Sequence, residues 1–477
     1  MKKNFLLAVA VTALMLASTV AQAADIKFSG QFRPRMNFDS DANDATTNQV
    51  FFDTRVRLNA KANVNANTVV DLQFQSTGTW GTDDGDGDGT RVSLGGGTNQ
   101  ASDSLADVGF HQATLTLKNL AGQPVDLKIG RQEVVIGGHR LFGHTGWTQG
   151  AETKDAIRLR HSAGNHSIGY TLIAGQNGDA LDNNNEDNVY VNVVDASTQG
   201  VMGGTLEGIF TWTSDQSGTA TTAEDLMDWF TIGARQKGKM GGLDYRVEFY
   251  HQFGDAGAVS AADMAVTGRT NDGASVDRDA YMFGLRLGKT FKNAKGSPSI
   301  TLWYDSLSGQ DDDDSSGGDW GAFDVMYDTG HKFYGFMDVF LSRTGANTGF
   351  YGLQDIALKT KVTPIPGWTL KADYHHFRTQ TDISGTDADT VAAADASLCG
   401  AGVACSMDPD LGSELDVVLV HKYDANTKLV FGISHYWTST TFAQLNNGPG
   451  SLANDGVGSH GNNDDADWGF IMIDTKF

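Results

Sequence analysis

Apolar and polar residues alternate along many short stretches of this chain. Within residues 26–38, Phe28 and Phe32 belong to an apolar set of alternate positions, and the positions between them are mostly charged or amide residues. Residues 52–64 and 243–253 repeat the pattern. Because successive side chains of a β-strand point to opposite faces, each stretch predicts a strand with one apolar and one polar face. Such strands occur both in soluble β-sandwiches and in membrane β-barrels, where the polar face lines a wet lumen.

The gaps between the predicted strands distinguish these two folds. Long gaps rich in Gly and Asp occur at 39–49, 81–104, 138–154, 175–186, 214–225, 254–277, 308–349, 380–411 and 441–465. They alternate with short gaps at 64–67, 119–124, 162–165, 194–199, 238–242, 292–297, 363–367 and 423–427. Long outer loops that alternate with short periplasmic turns are typical of outer-membrane barrels. We therefore predict an all-β fold, a single antiparallel transmembrane β-barrel of eighteen strands, with sixteen as the alternative if one hairpin is misassigned.

The alternation of long and short gaps decides how one ambiguous segment is assigned. Residues 332–343 could form a strand, but a nineteenth strand would put the turn at 363–367 on the wrong side of the membrane. We assign them to the loop 308–349. This loop carries more large apolar side chains than a free loop would expose, so we predict that it folds partly into the lumen. These side chains are Trp320, Phe323, Tyr327, Phe333, Tyr334, Phe336 and Phe340.

The first residues predict export. Residues 1–23 combine Lys2 and Lys3, an apolar run and the small-residue site Ala21-Gln22-Ala23, which is the layout of a secretory signal peptide. Residues 24–477 then form the barrel. The chain ends in Phe477 after an alternating stretch, and together with the signal peptide this places the protein in the bacterial outer membrane.

Charge is distributed unevenly between the loops and the strands. The net charge is −23, yet the nine long loops hold 36 acidic and 6 basic residues, so the remaining body is mildly basic. Arginine in the lipid midplane costs about 2–4 kcal/mol, so we place the strand bases on the lumen side, where they favour anions. The alternative is that inward acids such as Asp53, Asp71 and Glu248 pair with them and cancel the field. The predicted pore-lining bases are Arg33, Arg35, Arg55, Arg57, Lys61, Lys128, Arg158, Arg160, Arg235, Arg246, Arg286 and Lys371.

Two further motifs carry possible chemistry. Asp84, Asp86 and Asp88 resemble the start of a calcium loop, but the closing Glu is missing, so a solvated acidic loop is the favoured interpretation over bound calcium. A third interpretation is that divalent cations bridge these carboxylates to the phosphates of lipopolysaccharide. Cys399 and Cys405 are close in sequence and are expected to form a disulfide in an oxidising compartment. We expect no other cofactor.

Two stretches resemble the alginate-export family of outer-membrane barrels. One runs from Gly130-Arg131-Gln132-Glu133 through Gly138-His139-Arg140-Leu141 and Trp147 to residues 155–160, and the other is residues 323–338. Asp328 departs from the family pattern, in which Pro is more usual after the Tyr. The resemblance implies an eighteen-stranded barrel with a positively lined, loop-narrowed pore that passes an anionic uronate polymer in the type member. It adds Arg131 and Arg140 to the pore-lining set and supports Arg158 and Arg160.

These observations favour a channel over an enzyme. The scattered strand histidines form no catalytic pattern, and no Gly-x-Ser-x-Gly element is present. We expect a porin-like channel for small anionic or saccharide solutes, including polysaccharide. The alternatives are a general or cation-preferring porin governed by the acidic loops, and a surface adhesin or receptor. The expected partners are outer-membrane lipid and lipopolysaccharide, with no nucleic acid, and a monomer is favoured.

Overall fold

The computed structural model describes residues 25–39, 49–80, 108–176, 189–215, 227–256, 277–310, 319–340, 348, 350–384, 406–447 and 465–477. The predicted signal peptide, Asp84, Asp86 and Asp88, and both cysteines lie outside the described residues. The larger described elements are strands, in line with the alternating side-chain pattern.

Eighteen of these strands form one antiparallel sheet. In chain order, β1 to β9 are Asp25–Asp39, Gln49–Asn63, Thr68–Thr79, Gly109–Leu117, Val125–Gln132, Lys154–Ala163, His166–Gln176, Val189–Val201 and Gly204–Asp215. The barrel strands β10 to β18 are Met227–Met240, Leu243–Asp255, Asp277–Thr290, Ser299–Leu307, Leu353–Ile365, Trp368–Arg378, Asp410–Lys422, Thr427–Thr438 and Ala466–Lys476.

The sheet closes on itself. Each strand pairs with the next along the chain, and β1 pairs with β18, for example Arg35 with Met472 and Met36 with Ile471. The predicted eighteen-stranded barrel is therefore confirmed, and the sixteen-stranded alternative is wrong. Closure leaves no sheet edge unpaired, as a sheet in lipid requires.

The outer wall is apolar and the inner wall is largely polar. Phe28, Ile232, Leu302 and Ile433 point outward and are 59%, 53%, 59% and 66% exposed. The side chains that alternate with them face the lumen. Strands with this alternation place their apolar faces against lipid, as the sequence pattern predicts.

The structure corrects the position of one turn. We expected a turn at 194–199, but β8 continues to Val201 and the turn is formed by Met202 and Gly203. Both residues have positive φ angles, 48° and 72°, as the tight hairpin turns that match strand twist require. The small polar residues at 194–199 predicted a turn, but Asp195 and its neighbours belong to the strand.

The segment 332–343 contains no barrel strand among its described residues. β13 ends at Leu307 and β14 begins at Leu353, and a 3₁₀ turn at Gly330–Lys332 lies between them. A two-residue ladder joins Ile383–Ser384 to Ser406–Met407, and the helix α1, Thr440–Asn447, precedes β18. Among the described residues, no helix has the length and apolar character needed to cross a membrane.

The C-terminal residue completes the seam between β18 and β1. The backbone N–H of Gly30 donates to the carbonyl of Phe477 at 2.6 Å, and the N–H of Phe477 donates to that of Gly30 at 3.1 Å. The Phe477 ring occupies the space above Gly30, where an added Cβ would lie 2.4 Å from Cζ. Glycine at position 30 is thus needed for the ring to lie against the strand.

Candidate functional site

Two connections enter the barrel and pair with each other. The constriction loop is residues 133–153, between β5 and β6, and the inward segment is residues 319–340, between β13 and β14. The N–H of Tyr327 donates to Leu141 at 3.0 Å, and the N–H of Gly143 donates to the carbonyl of Tyr327 at 2.7 Å. These backbone bonds make the two connections a single structural unit within the lumen.

Apolar side chains fix this unit against the inner wall. Phe142 of the constriction loop and Phe323 of the inward segment are 1% and 0% exposed, and they belong to one buried cluster with the wall residues Ile173 and Met282. Burial of such side chains stabilises a packed unit by about 1.5–3 kcal/mol each. These packed side chains therefore narrow the long-loop half of the lumen.

Three predicted pore-lining arginines hold the constriction loop. Arg33 donates to the carbonyl oxygens of Gly146, Trp147 and Thr148, each at 2.8 Å. Arg55 donates to the Thr148 carbonyl at 3.1 Å, and Arg35 lies over the Trp147 ring at 4.7 Å. All three arginines are buried, so their donors serve the loop backbone and not a passing solute.

Trp147 joins the constriction loop to the inward segment and to the wall at β18. Its ring stacks on His331 at 4.3 Å and meets the Phe470 ring edge-on at 4.9 Å. His331 in turn donates from Nδ1 to the Asp338 carboxylate at 3.0 Å. Aromatic packing of this kind stabilises the seat of the loop beyond the area it buries.

Arg140, which belongs to the constriction loop itself, lies at the centre of a buried ion network. Arg140 donates to Glu248 at 2.8 Å, to Asp305 at 3.0 Å and to the Tyr334 hydroxyl at 2.7 Å. Burial alone would lower the pKa of Arg140, but Asp305 and the other partners raise it well above its usual value. Arg286 donates to the same Asp305 at 2.6 Å. Predicted as pore-lining, Arg140 instead anchors the loop to β11 and β13.

The structure places Arg131 outside the lumen, which corrects its assignment to the pore. Arg131 shares alternate positions with Ile129 and lies beside Ile157, both 40% exposed on the lipid-facing wall. It forms an ion pair with Asp155 at 2.8 Å on that wall. Strand alternation could have shown this, because Lys128 and Arg131 are three residues apart and cannot face the same side of one strand.

The predicted neutralisation of inward bases by inward acids occurs at several positions. Glu207 pairs with Arg235 and also with Lys237 at 3.1 Å. Arg160 pairs with Asp195 at 2.8 Å. Further pairs join Arg35 to Asp53, Arg57 to Glu133, Arg246 to Glu248 and Lys359 to Asp373.

Other inward bases have like-charged neighbours. Lys128 on β5 lies directly opposite Arg158 on β6, and Lys361 on β14 lies directly opposite Lys371 on β15. Within the described part of the chain, no carboxylate lies within 4 Å of any of these four groups. We call these four residues the basic collar. Lys361 is absent from the pore-lining bases predicted from the sequence. Ile356 and Leu358 point outward, and Lys361 occupies the other set of alternate positions, so it points into the lumen. Lys61, also predicted, lies in register with Asp71.

The collar lies at one level of the lumen. Its residues are three to five positions from the short-turn ends of their strands, about 10–16 Å along the strand at about 3.3 Å per residue. The two pairs are separated by nine strands in a ring of eighteen, so they face each other across the lumen. The loop anchors Arg33 and Asp305 lie nearer the long-loop ends, as does Glu414, which accepts from the N–H of Phe336 in the inward segment at 2.6 Å. A solute that passes the constriction loop therefore reaches the basic collar on the periplasmic side.

A side cavity of about 360 Å³ lies between the constriction loop and the collar residue Arg158. Val135 and Ile136 of the constriction loop cover it, and Arg158, Arg160 and Ser197 form part of its wall. Among the residues that the structure describes, the guanidinium of Arg158 has one hydrogen bond to a side chain, from Nε to Thr171 at 3.3 Å. Its remaining N–H donors are placed to bind an acceptor in the cavity.

Lys332 of the inward segment adds a titratable cation that sequence reasoning did not single out. Its Nζ donates to the Gly138 carbonyl at 3.1 Å. Partial burial, and then the nearby Arg246 and Arg235, lower the pKa of Lys332 to about 8. Burial also lowers the pKa of His139 to about 4, so this imidazole is neutral at pH 7. In the described ranges, no cluster of three or more His, Cys, Asp or Glu side chains is placed to hold a metal ion.

Comparisons with known proteins bear on both the fold and the family. The chain matches the family model described as alginate export over residues 24–448. Among solved structures, OccAB1 of Acinetobacter baumannii is similar, with a TM-score of 0.54, 11% identity, and coverage of 96% of this chain and 99% of that chain. OccK8 (OprE) of Pseudomonas aeruginosa has a TM-score of 0.52 and 11% identity, covering 95% of this chain and 98% of that chain. At these identities the likeness concerns the fold alone. No curated protein matches the chain in sequence.

Proposed function

Since this chain belongs to the alginate-export family of outer-membrane barrels, as its sequence motifs predicted, we propose that it is an outer-membrane channel that prefers anionic solutes. The observation that carries the preference is the basic collar. Like charges directly opposite each other in a sheet destabilise it. Lys128 with Arg158, and Lys361 with Lys371, nevertheless face one lumen without a carboxylate within 4 Å among the described residues.

The buried acids do not remove this preference. Each lumen carboxylate in the described ion pairs, such as Asp195, Glu207 or Asp373, already has a cationic partner. The collar cations have no carboxylate within 4 Å among the described residues, and cations that line a narrow pore favour anions. The solute class we propose is small anionic or saccharide molecules. The side cavity of about 360 Å³ supports a solute of limited size beside Arg158.

The experiment is the reversal potential of the purified protein in a planar phospholipid bilayer under a salt gradient. We expect anion selectivity in the wild type and a shift toward zero or cation selectivity in the variant Lys128→Gln/Arg158→Gln/Lys361→Gln/Lys371→Gln. Arg131→Gln is the matched control, because it removes one positive charge from the lipid-facing wall. A wild type that is cation-selective would contradict the proposal.

A second candidate rests on the long loops, which hold 36 acidic and 6 basic residues. An acidic rim concentrates cations at low salt, and its effect weakens as the Debye length shrinks to about 8 Å at physiological ionic strength. A general or cation-preferring porin would therefore show cation selectivity that fades with added salt. The collar variant would leave that selectivity unchanged.

A further inference from the structure

Within the described residues, the lipid-facing wall carries four pairs of an arginine or histidine with a carboxylate on the neighbouring strand, and the lumen chemistry does not use them. Arg131 pairs with Asp155 at 2.8 Å. Three pairs join a histidine to an aspartate on the neighbouring strand. They are His251 with Asp279 at 3.6 Å, His376 with Asp410 at 3.9 Å, and His435 with Asp467 at 2.7 Å. We call these eight residues the outer charge belt.

The outward direction of these side chains follows from their neighbours. Phe249 and Phe253 alternate with His251 and are 49% and 38% exposed, and Ile433 and Trp437 flank His435 at 66% and 40%. The belt side chains themselves are between 32% and 62% exposed. They therefore stand on the apolar wall and not in the lumen.

All four pairs lie at one end of the barrel. Every belt residue is within four positions of the long-loop end of its strand. A charge on the lipid face is tolerated near the interface and is costly at the midplane. The belt thus marks the level of the headgroups on the cell-surface side.

The opposite end of the wall differs. His161, His166 and His421 are lipid-facing histidines near the short turns, and none of them has a carboxylate partner within 4 Å among the described residues. His161 instead bonds the Pro124 carbonyl at 2.7 Å, and His421 stacks on Trp368 at 4.1 Å. The paired arrangement is therefore a property of the outer end of this wall and not of lipid-facing histidines in general.

We propose that the outer charge belt binds the phosphorylated headgroups of lipopolysaccharide in the outer leaflet. Phosphate oxygens accept from the Arg131 guanidinium and from histidine N–H groups, and charge-assisted bonds of this kind are the stronger ones. Each aspartate presents oxygen ligands to the divalent cations that accompany such phosphates. Exposed ion pairs add little to folding stability by themselves, so a ligand that engages both partners accounts for them better.

The test uses the intact protein in nanodiscs. One set contains phosphatidylethanolamine with bisphosphorylated rough lipopolysaccharide and Mg²⁺, and the other replaces the lipopolysaccharide with phosphatidylglycerol. Lipopolysaccharide retained per barrel after detergent extraction is measured for the wild type and for Arg131→Gln/His251→Asn/His376→Asn/His435→Asn. We expect about a tenfold loss of retention in the variant, because charge-assisted bonds are about twice as strong as neutral ones.

His161→Asn/His166→Asn/His421→Asn is the matched control and is expected to retain lipopolysaccharide as the wild type does. If the belt variant fails to fold, as judged by heat-modifiable gel migration, Arg131→Gln and His435→Asn are measured singly, and each is expected to lower retention. Unchanged retention in the folded belt variants would overturn the proposal. Equal retention of phosphatidylglycerol would also overturn it, since the belt would then recognise any anionic lipid.

Discussion

Arg158 and Lys371 face each other across the lumen, because β6 and β15 are nine strands apart in a ring of eighteen. Each has a second base as its cross-strand neighbour, Lys128 and Lys361 respectively. Two like-charged pairs therefore lie at one level of the lumen, and like charges directly opposite each other destabilise a sheet. On the proposed function, the same four residues would give the channel its anion selectivity at an electrostatic cost to the fold.

That cost gives a stability prediction for Lys128→Gln/Arg158→Gln. Removal of the like-charge pair is expected to raise the free energy of unfolding by about 0.2–1 kcal/mol while it lowers anion selectivity. Urea unfolding in detergent micelles or bilayers, followed by Trp fluorescence, measures the stability. Lys359→Gln serves as the control, since Lys359 pairs with Asp373 at 3.2 Å and its loss is expected to destabilise. Equal destabilisation by both changes would contradict the prediction.

Arg33→Ala is expected to loosen the constriction loop and to raise single-channel conductance. The substitution removes hydrogen bonds to the carbonyls of Gly146, Trp147 and Thr148. The same carbonyls keep only the longer hydrogen bonds from Arg55 and Arg35, at 3.1–3.4 Å. A hydrogen bond to a charged group contributes about 1.5–3 kcal/mol, so the loop should leave its packed position more often. Single-channel recording tests this, with Lys27→Ala, a rim residue 70% exposed on its side chain, as the control. A conductance equal to that of the wild type in a folded barrel would show that Arg33 does not hold the constriction.

Anion selectivity is expected to fall as the pH rises from 7 to 9. The pKa of Lys332 is lowered to about 8, so the ammonium is mostly charged below pH 8 and mostly neutral above it. The charged groups around Lys332 are Arg246, Arg235 and Arg140, which lower its pKa, and Glu248, which raises it. Reversal potentials at several pH values measure the change. In Lys332→Met the profile should be flat between pH 7 and 9, and a slope as steep as that of the wild type would assign the titration to another group.

Gly30→Val is expected to impair barrel closure. Its Cβ would lie 2.4 Å from the Phe477 ring and 2.9 Å from the Arg57 carbonyl, so the ring or the strand must shift. The fraction of heat-modifiable, folded barrel after refolding should fall. Gly208→Val is the matched control, because the nearest heavy atom to its Cβ would be 4.0 Å away. Equal refolding yields for the two variants would show that the contact with Phe477 is dispensable.

Cys399 and Cys405 lie outside the described residues and stay a prediction from the sequence. In an oxidising compartment two thiols with this spacing are expected to be bridged. Labelling of the unfolded, unreduced protein with a thiol reagent should give no modified cysteine, and labelling after reduction should give two. Modification of both before reduction would refute the bridge.

The sequence determined the barrel. Alternating residues such as Phe28 and Arg33 specify which side of a strand faces lipid, and loop lengths specify the order of turns, because both signals are local in the chain. The number of strands followed from them and is confirmed. The turn at Met202 and Gly203 was misplaced, since the composition of 194–199 resembles a turn while the backbone angles select another position.

Only the tertiary structure decided what each inward base does. Arg33, Arg140 and Lys128 have the same charge in the sequence, yet Arg33 binds carbonyls of the constriction loop, Arg140 binds buried carboxylates and Lys128 faces another base. Their partners are distant in sequence, by 113 residues for Arg33 and Gly146 and by 108 for Arg140 and Glu248. A local pattern contains no information about such contacts, because they arise when a closed wall and two inward connections come together in space.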